Sequence, residues 1–244
     1  MKTTLTSALV LLCSAAAFAA PEGLLVHCSF DEGTLEEFRC EPEGSLKPRL
    51  AKSDLATVAL VDGVHGKALE LKPDSKVKYV FSKQIAAALQ ELRPPFTIAL
   101  WMKKSTELPK HDIWFATFAA QKQPGGFELC WNWKHAEFRW GDLKEDVLKT
   151  PTGLLYQNKF HHVAVVHDGK LITIYIDALP AAQRSDNGNF KPVPEAKRKQ
   201  QLPTVGQYTT TFNAYGHVGV IDDFYVFTRA LSPEELTALA VGKK

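Results

Sequence analysis

Phe160-His161-His162-Val163-Ala164-Val165-Val166-His167-Asp168-Gly169-Lys170-Leu171-Ile172-Thr173-Ile174-Tyr175-Ile176-Asp177 decides the fold class. Two runs rich in β-branched residues, 160–167 and 171–177, flank Asp168-Gly169, the dipeptide that favours a type I′ hairpin turn. Ile172, Ile174 and Ile176 share one face by the two-residue period of a strand, so that face belongs to a core.

Working outward, similar short runs recur at 24–30, 67–71, 76–81, 96–103, 113–119, 127–133, 137–140 and 218–228, separated by Gly, Pro, Asp and Asn. That many strands in one domain predict two packed antiparallel sheets. Helical patterns appear twice. One starts at Ser82 as N-cap, carries Ile85, Leu89 and Leu92, and stops before Pro94-Pro95. The other opens at Ser232-Pro233-Glu234-Glu235, a capping box with proline in the first turn, and runs to about 241. The polar, proline-containing segment 179–203 carries Lys191, Lys197, Arg198 and Lys199 and reads as a solvated loop or a basic contact surface.

Composition sets the outer limits. The chain has 244 residues, 45% of them hydrophobic and 23% charged, which excludes disorder, collagen and coiled coil. Lys+Arg 29 against Asp+Glu 27 leaves +2, so no charge excess points to nucleic acid or an anionic membrane. The stretch from Leu5 to Ala20 is apolar or small and ends in Ala17-Phe18-Ala19, the form of a cleaved secretory signal over residues 1–19. It is shorter than the ~20 residues a membrane span needs. Residues 20–244 then form one exported domain, secreted or periplasmic, with no internal repeat and no second apolar run.

Loss of Cys13 with the signal leaves Cys28, Cys40 and Cys130, enough for at most one intrachain bridge. Cys28 with Cys40 is the favoured pair because the two bracket one short acidic loop. Three small core residues are the alternative.

Five pieces in order resemble the laminin G-like domains of the concanavalin A-like lectin/glucanase superfamily. They are Leu25-Val26-His27-Cys28-Ser29-Phe30-Asp31-Glu32-Gly33, Gly66-Lys67-Ala68-Leu69-Glu70-Leu71, Phe96-Thr97-Ile98-Ala99-Leu100-Trp101, the 160–177 hairpin, and Gly219-Val220-Ile221-Asp222-Asp223-Phe224-Tyr225-Val226-Phe227-Thr228-Arg229-Ala230-Leu231-Ser232. The chain departs from the family pattern at Ala178, where glycine usually follows the Ile-Asp pair, and in a longer loop after Leu179. The resemblance implies an all-β, two-sheet antiparallel jelly-roll sandwich with short helices near 82–92 and 232–241. It also implies one structural calcium between the first-strand exit and the last strand, held by Asp31, the carbonyl of Gly66 and Asp222. Asp31 and Asp222 acting as turn caps is the competing expectation.

The fold houses hydrolases and lyases as well as binding modules, so the residues decide. Retaining glycoside hydrolysis needs two carboxylates about 5 to 5.5 Å apart. No single strand carries such a pair; Glu36-Glu37, Glu145-Asp146 and Glu234-Glu235 are adjacent, and the laminarinase-type Glu-x-Asp-x-x-Glu signature is missing. His161 and His167 share a strand face, expected to be exposed, but sit too far apart for one lyase site. No nucleophile elbow, zinc-protease motif or phosphate loop appears. Trp131 and Trp133 alternate with Phe127 and Leu129, either as core or as a sugar-stacking platform, with Trp133 and His135 the outermost pair. The expectation is a non-catalytic module in which Trp131, Trp133 and His135 bind a carbohydrate or a glycosylated protein; a glycan-cleaving enzyme or an envelope adhesion module are the alternatives.

Overall fold

The computed structural model describes residues 20–49, 55–73, 75, 77–105, 111–117, 125–141, 145–207 and 216–241. The expected signal segment 1–19 lies outside them. In chain order the strands are β1 Leu24–Cys28, β2 Gly33–Thr34, β3 Glu37–Arg39, β4 Ser45–Arg49, β5 Val58–Asp62, β6 Lys67–Leu71 and β7 Lys78–Phe81; helix α1, Lys83–Gln90, follows. Next come β8 Phe96–Lys104, β9 His111–Ala116, β10 Phe127–Asn132, β11 His135–Trp140, β12 Val147–Lys149, β13 Phe160–His167, β14 Leu171–Ile176 and β15 Leu179–Ser185. The chain closes with α2 Glu195–Arg198, β16 Thr204–Val205, β17 Gly219–Phe227 and α3 Pro233–Val241.

Two antiparallel sheets form a sandwich. The first has the order β15-β14-β13-β8-β17-β6-β5, with β1 also paired to β17; the second has the order β12-β11-β10-β9-β16-β7-β4-β3-β2. Alternation places Phe96, Ile98, Leu100 and Met102 of β8, Val163 and Val165 of β13, and the three isoleucines of β14 between the sheets. They meet Phe115, Phe127, Leu129 and Phe138 of the second sheet, and Phe96 stacks on Phe127 with ring centroids 5.9 Å apart. Each such buried side chain contributes roughly 1.5–3 kcal/mol.

The outer face of the first sheet has its own apolar patch, Ala99, Ala164, Val166 and Phe227, and α3 covers it with Leu236. That helix begins as its sequence requires: the Ser232 N–H donates to Glu235 Oε2 at 2.8 Å and the Glu235 N–H to Ser232 Oγ at 3.3 Å. Ser82 precedes α1 but its side chain makes no cap bond; α1 is held by burial of Ile85, Ala86 and Leu89 instead.

Cys28 and Cys40 are bridged, with Cα atoms 4.6 Å apart, while Cys130 is free and buried. Closing this short loop stabilises the fold by roughly 3 kcal/mol on chain-entropy grounds.

Several expectations need correction. The 160–177 hairpin forms, but Asp168-Gly169 is not a type I′ turn: of the pair only Gly169 takes a positive φ, 104°. Asp168 Oδ1 instead accepts the N–H groups of Lys170 and Leu171, both at 2.8 Å, closing a longer turn. Residues 179–185 are a strand, not a loop. The two-residue turn at Asp177-Ala178, φ 51° and 64°, pairs them with β14, and Pro180 is tolerated because β15 is a sheet edge. His161 and His167 do share a face, but it is the inner one with Val163 and Val165, so both are buried. His161 is satisfied there by Asp177, 2.9 Å away, and by the Tyr156 N–H at 3.0 Å. His167 packs on Phe96 and Phe190.

Candidate functional site

The β10–β11 hairpin organises the most functional-looking end of the sandwich. Its turn is Trp133-Lys134, between the paired residues Asn132 and His135. Both turn residues take positive φ, 49° and 77°, a conformation costly for side chains other than Gly, Asn or Asp. Trp133 is therefore off the strand, and 61% of its surface is exposed. Trp131, one alternation earlier, is 5% exposed and part of the inter-sheet core, which corrects the expectation that both indoles face a ligand. His135 is half-buried, its Nδ1 2.5 Å from the Thr150 carbonyl oxygen.

Other elements converge on the same end. Lys104, the last residue of β8, lies over the Trp131 ring at 5.2 Å and donates to Asp112 Oδ2 at 2.8 Å. Asp112 Oδ2 is also 3.0 Å from His217 Nδ1, and all three side chains are essentially inaccessible. The Lys104 carbonyl accepts the N–H of Asn158, which places the 151–158 loop beside this end; its Tyr156 is 60% exposed.

On β10 the residues facing away from the core are Glu128, Cys130 and Asn132, opposite Arg139, Glu137 and His135 of β11. Glu128, Cys130 and Glu137 are fully buried. Arg139 donates to Glu137 Oε2 from Nε at 2.9 Å and from Nη2 at 2.6 Å, and its Nε lies 3.4 Å from Glu128 Oε1. Asn132 and Lys149 also reach Glu137. His111, which opens β9 beside Asn132, lies 3.6 Å from Glu128 Oε1.

Burial alone would raise the Glu137 carboxyl, but the Arg139 hydrogen bonds and charge, with Asn132 and Lys149, hold it below its ordinary value. Burial and then the Arg139 charge push the His111 imidazole down to about 4, and burial followed by the Glu128 charge raises the Cys130 thiol. The members of this group sit on different strands, so no single strand of the sequence declares it. Its signal was the alternation of polar residues at 128, 130 and 132 and at 137 and 139, out of phase with the core-facing positions.

At the junction of the first-strand exit and the last strand, Asp31 after β1 and Gly66 between β5 and β6 come beside Asp222 of β17. Asp31 Oδ1 accepts the Lys67 N–H at 2.6 Å, and the Gly66 carbonyl accepts the Gly63 N–H at 2.9 Å. Asp222 Oδ2 accepts the N–H groups of Val64 and His65, at 2.8 and 3.2 Å, and its Oδ1 that of Asp223 at 2.8 Å. These are turn-capping bonds, with N–H dipoles rather than lone pairs aimed at the Asp222 carboxyl, whose pKa is pushed up to about 7 by burial and then by Asp223. Asp223 itself, at φ 45°, is gripped by His27 at 2.9 Å and His65 at 2.6 Å.

Among solved structures the chain is similar to domain 4 of AbnA, a GH43 extracellular arabinanase from Geobacillus stearothermophilus, in complex with arabinotriose. The TM-score is 0.62 at 17% identity, covering 89% of this chain and 98% of that one. It is also similar to Trypanosoma rangeli sialidase in complex with the inhibitor DANA (TM-score 0.63, 16% identity, 98% of this chain and 36% of that one). The binding domain of botulinum neurotoxin serotype D gives a TM-score of 0.64 at 13% identity, over 89% of this chain and 50% of that one. The chain thus spans about a third of the sialidase and half of the toxin domain, and at such identities the likeness concerns the fold. No curated protein sequence matches it. A laminin G family model described as the concanavalin A-like lectin/glucanases superfamily matches residues 81–237, from the end of β7 through the hairpins to α3, and the chain belongs to that family.

Proposed function

We propose that this chain is a secreted, non-catalytic module that binds a carbohydrate or a glycosylated protein at the end of the sandwich carrying Trp133. The exposed indole on a two-residue turn of positive φ is the observation that carries this reading. A turn made from Trp and Lys, where Asn-Gly would cost less, presents a flat apolar ring to solvent, and such rings stack on the apolar faces of sugars. His135 beside it and Tyr156 at the same end supply further contact groups. The arabinotriose-bound structural neighbour supports the class of ligand and not its identity.

Against cleavage at this end stands the electrostatics of Glu128 and Glu137 on the outer face of the second sheet. A general acid needs a raised pKa, whereas Glu137 is held low and locked by Arg139. Export is supported by the Cys28–Cys40 bridge, which persists in oxidising compartments, and among the described residues no helix is long and apolar enough to cross a membrane. Mass spectrometry of exported protein should find a terminus at or next to Ala20.

The deciding experiment is a polysaccharide and glycoprotein binding screen with a turnover assay on every hit. Trp133→Ala should weaken binding roughly tenfold or more, corresponding to about 1 to 3 kcal/mol if stacking on bases is a guide to stacking on sugars. Its melting temperature should hardly move. Reducing ends or unsaturated products forming in proportion to protein would hand the function to an enzyme. The calcium implied at Asp31, Gly66 and Asp222 is tested separately: a melting temperature that falls on chelation and recovers with calcium supports it, and an unchanged one leaves these groups as turn caps.

A further inference from the structure

Below the Trp133 turn, on the face of the second sheet turned away from the core, one nitrogen, one oxygen and one sulfur converge. His111 Nε2 and Glu128 Oε1 are 3.6 Å apart, Cys130 Sγ and Glu128 Oε1 are 3.9 Å apart, and the ligand atoms of the three residues all lie within 4.8 Å of one another. We propose that His111, Glu128 and Cys130 bind one divalent transition metal ion of the zinc class. This is independent of the glycan-binding reading.

The geometry is close to what such an ion imposes. With bonds of about 2.0 to 2.3 Å, a tetrahedral centre sets its ligand atoms roughly 3.3 to 3.8 Å apart. The two separations to Glu128 Oε1 are within a few tenths of an ångström of that range and the third is no more than 4.8 Å, so binding asks the His111 and Cys130 side chains to draw together. A mixed imidazole, carboxylate and thiolate set suits zinc and its first-row neighbours and not calcium or magnesium, which take oxygen ligands. The strands explain the convergence: Glu128 and Cys130 are two apart on β10, and the β9 register brings His111 opposite Asn132.

An outer layer of partners is in place. Arg139 contacts Glu128 and is itself neutralised by Glu137, which Asn132 and Lys149 hold. Such surroundings orient metal ligands and fix their charge. Among the described residues the apolar cluster around Cys130 on this face is Ile113 and Ala116, a small patch for so many buried charged groups. On binding, the Cys130 S–H bond breaks, the sulfur lone pair bonds the metal, and the proton leaves to solvent with no change of oxidation state.

The test uses the full chain, untagged and freed of metal, titrated with cobalt(II) and then zinc. One equivalent of cobalt should produce a thiolate-to-metal charge-transfer absorption that zinc abolishes. The band should disappear in Cys130→Ser. Zinc affinity should fall in Cys130→Ser by roughly 100-fold or more, beyond the 10- to 100-fold typical of losing an outer partner. As a readout free of mutation, one equivalent of zinc should raise the melting temperature of the metal-free wild-type chain. No charge-transfer band and no rise in melting temperature with zinc, or a band that survives Cys130→Ser, overturns the proposal.

Discussion

His162 shows how much one buried side chain can oppose the fold that holds it. It lies on the outer face of β13 against Trp101, 5.3 Å between rings, and among the described residues neither ring nitrogen has a hydrogen-bond partner. Burial pushes its pKa down to about 4 against the weaker opposing pull of the Asp177 and Asp223 charges. An unfolded chain takes up this proton below about 6.5, the folded one only near 4, so the unfolded state binds more protons across that window. The stability associated with a neutral His162 is complete above pH 6.5 and is lost as the pH falls toward 4. His162→Phe removes two unsatisfied nitrogens and the titration together. It should raise stability by about 1 kcal/mol at pH 7.5 and by more at pH 5, read as melting temperatures of the two proteins across that range. An equal shift at both values would mean that His162 is not the group that titrates.

At the scale of elements, the hairpins show what a sequence makes legible. The alternation of 160–177 locates β13 and β14 and their buried isoleucines correctly, because burial of one sheet face imposes a period of two whatever the partner strands are. It misplaces the tight turn. Asp168-Gly169 has the favoured composition, yet the positive-φ pairs fall at Trp133-Lys134 and Asp177-Ala178, where the registers Asn132 with His135 and Ile176 with Leu179 leave only two residues to reverse the chain. Register is a property of both strands, and neither strand declares it alone. The same blindness hid β15 behind its Pro180 and hid the Glu128, Glu137 and Arg139 group, whose members meet only across a strand pair. Ala178 is the position to test. Its φ of 64° disfavours any side chain, so Ala178→Gly should stabilise the protein by about 1 kcal/mol through relief of the β14–β15 turn. A melting temperature that drops instead would show that the backbone entropy added to the unfolded chain outweighs the relief.

Across the whole molecule, two sheets must be kept in one alignment so that the Trp133 end stays assembled, and an apolar interior is poorly suited to fixing that alignment. Lys104 of the first sheet and Asp112 of the second meet in the interior at 2.8 Å, with His217 at 3.0 Å from the same oxygen, and each is at most 3% exposed. A buried pair of this kind adds little net stability over apolar residues of the same shape, but removing one member leaves a charge in a medium that cannot solvate it. Asp112→Ala should therefore cost about 3 to 5 kcal/mol, several times the cost of an exposed substitution. Lys104→Met combined with Asp112→Leu should recover most of that loss, measured by denaturant unfolding of the three proteins. If the double variant recovers stability yet loses glycan binding while Trp133 is intact, the ion pair is fixing the approach of the two sheets beneath the binding end. If it recovers both, the pair is only a solved burial problem, and the alignment rests on the aromatic packing of Phe96, Phe127 and Phe138 above it.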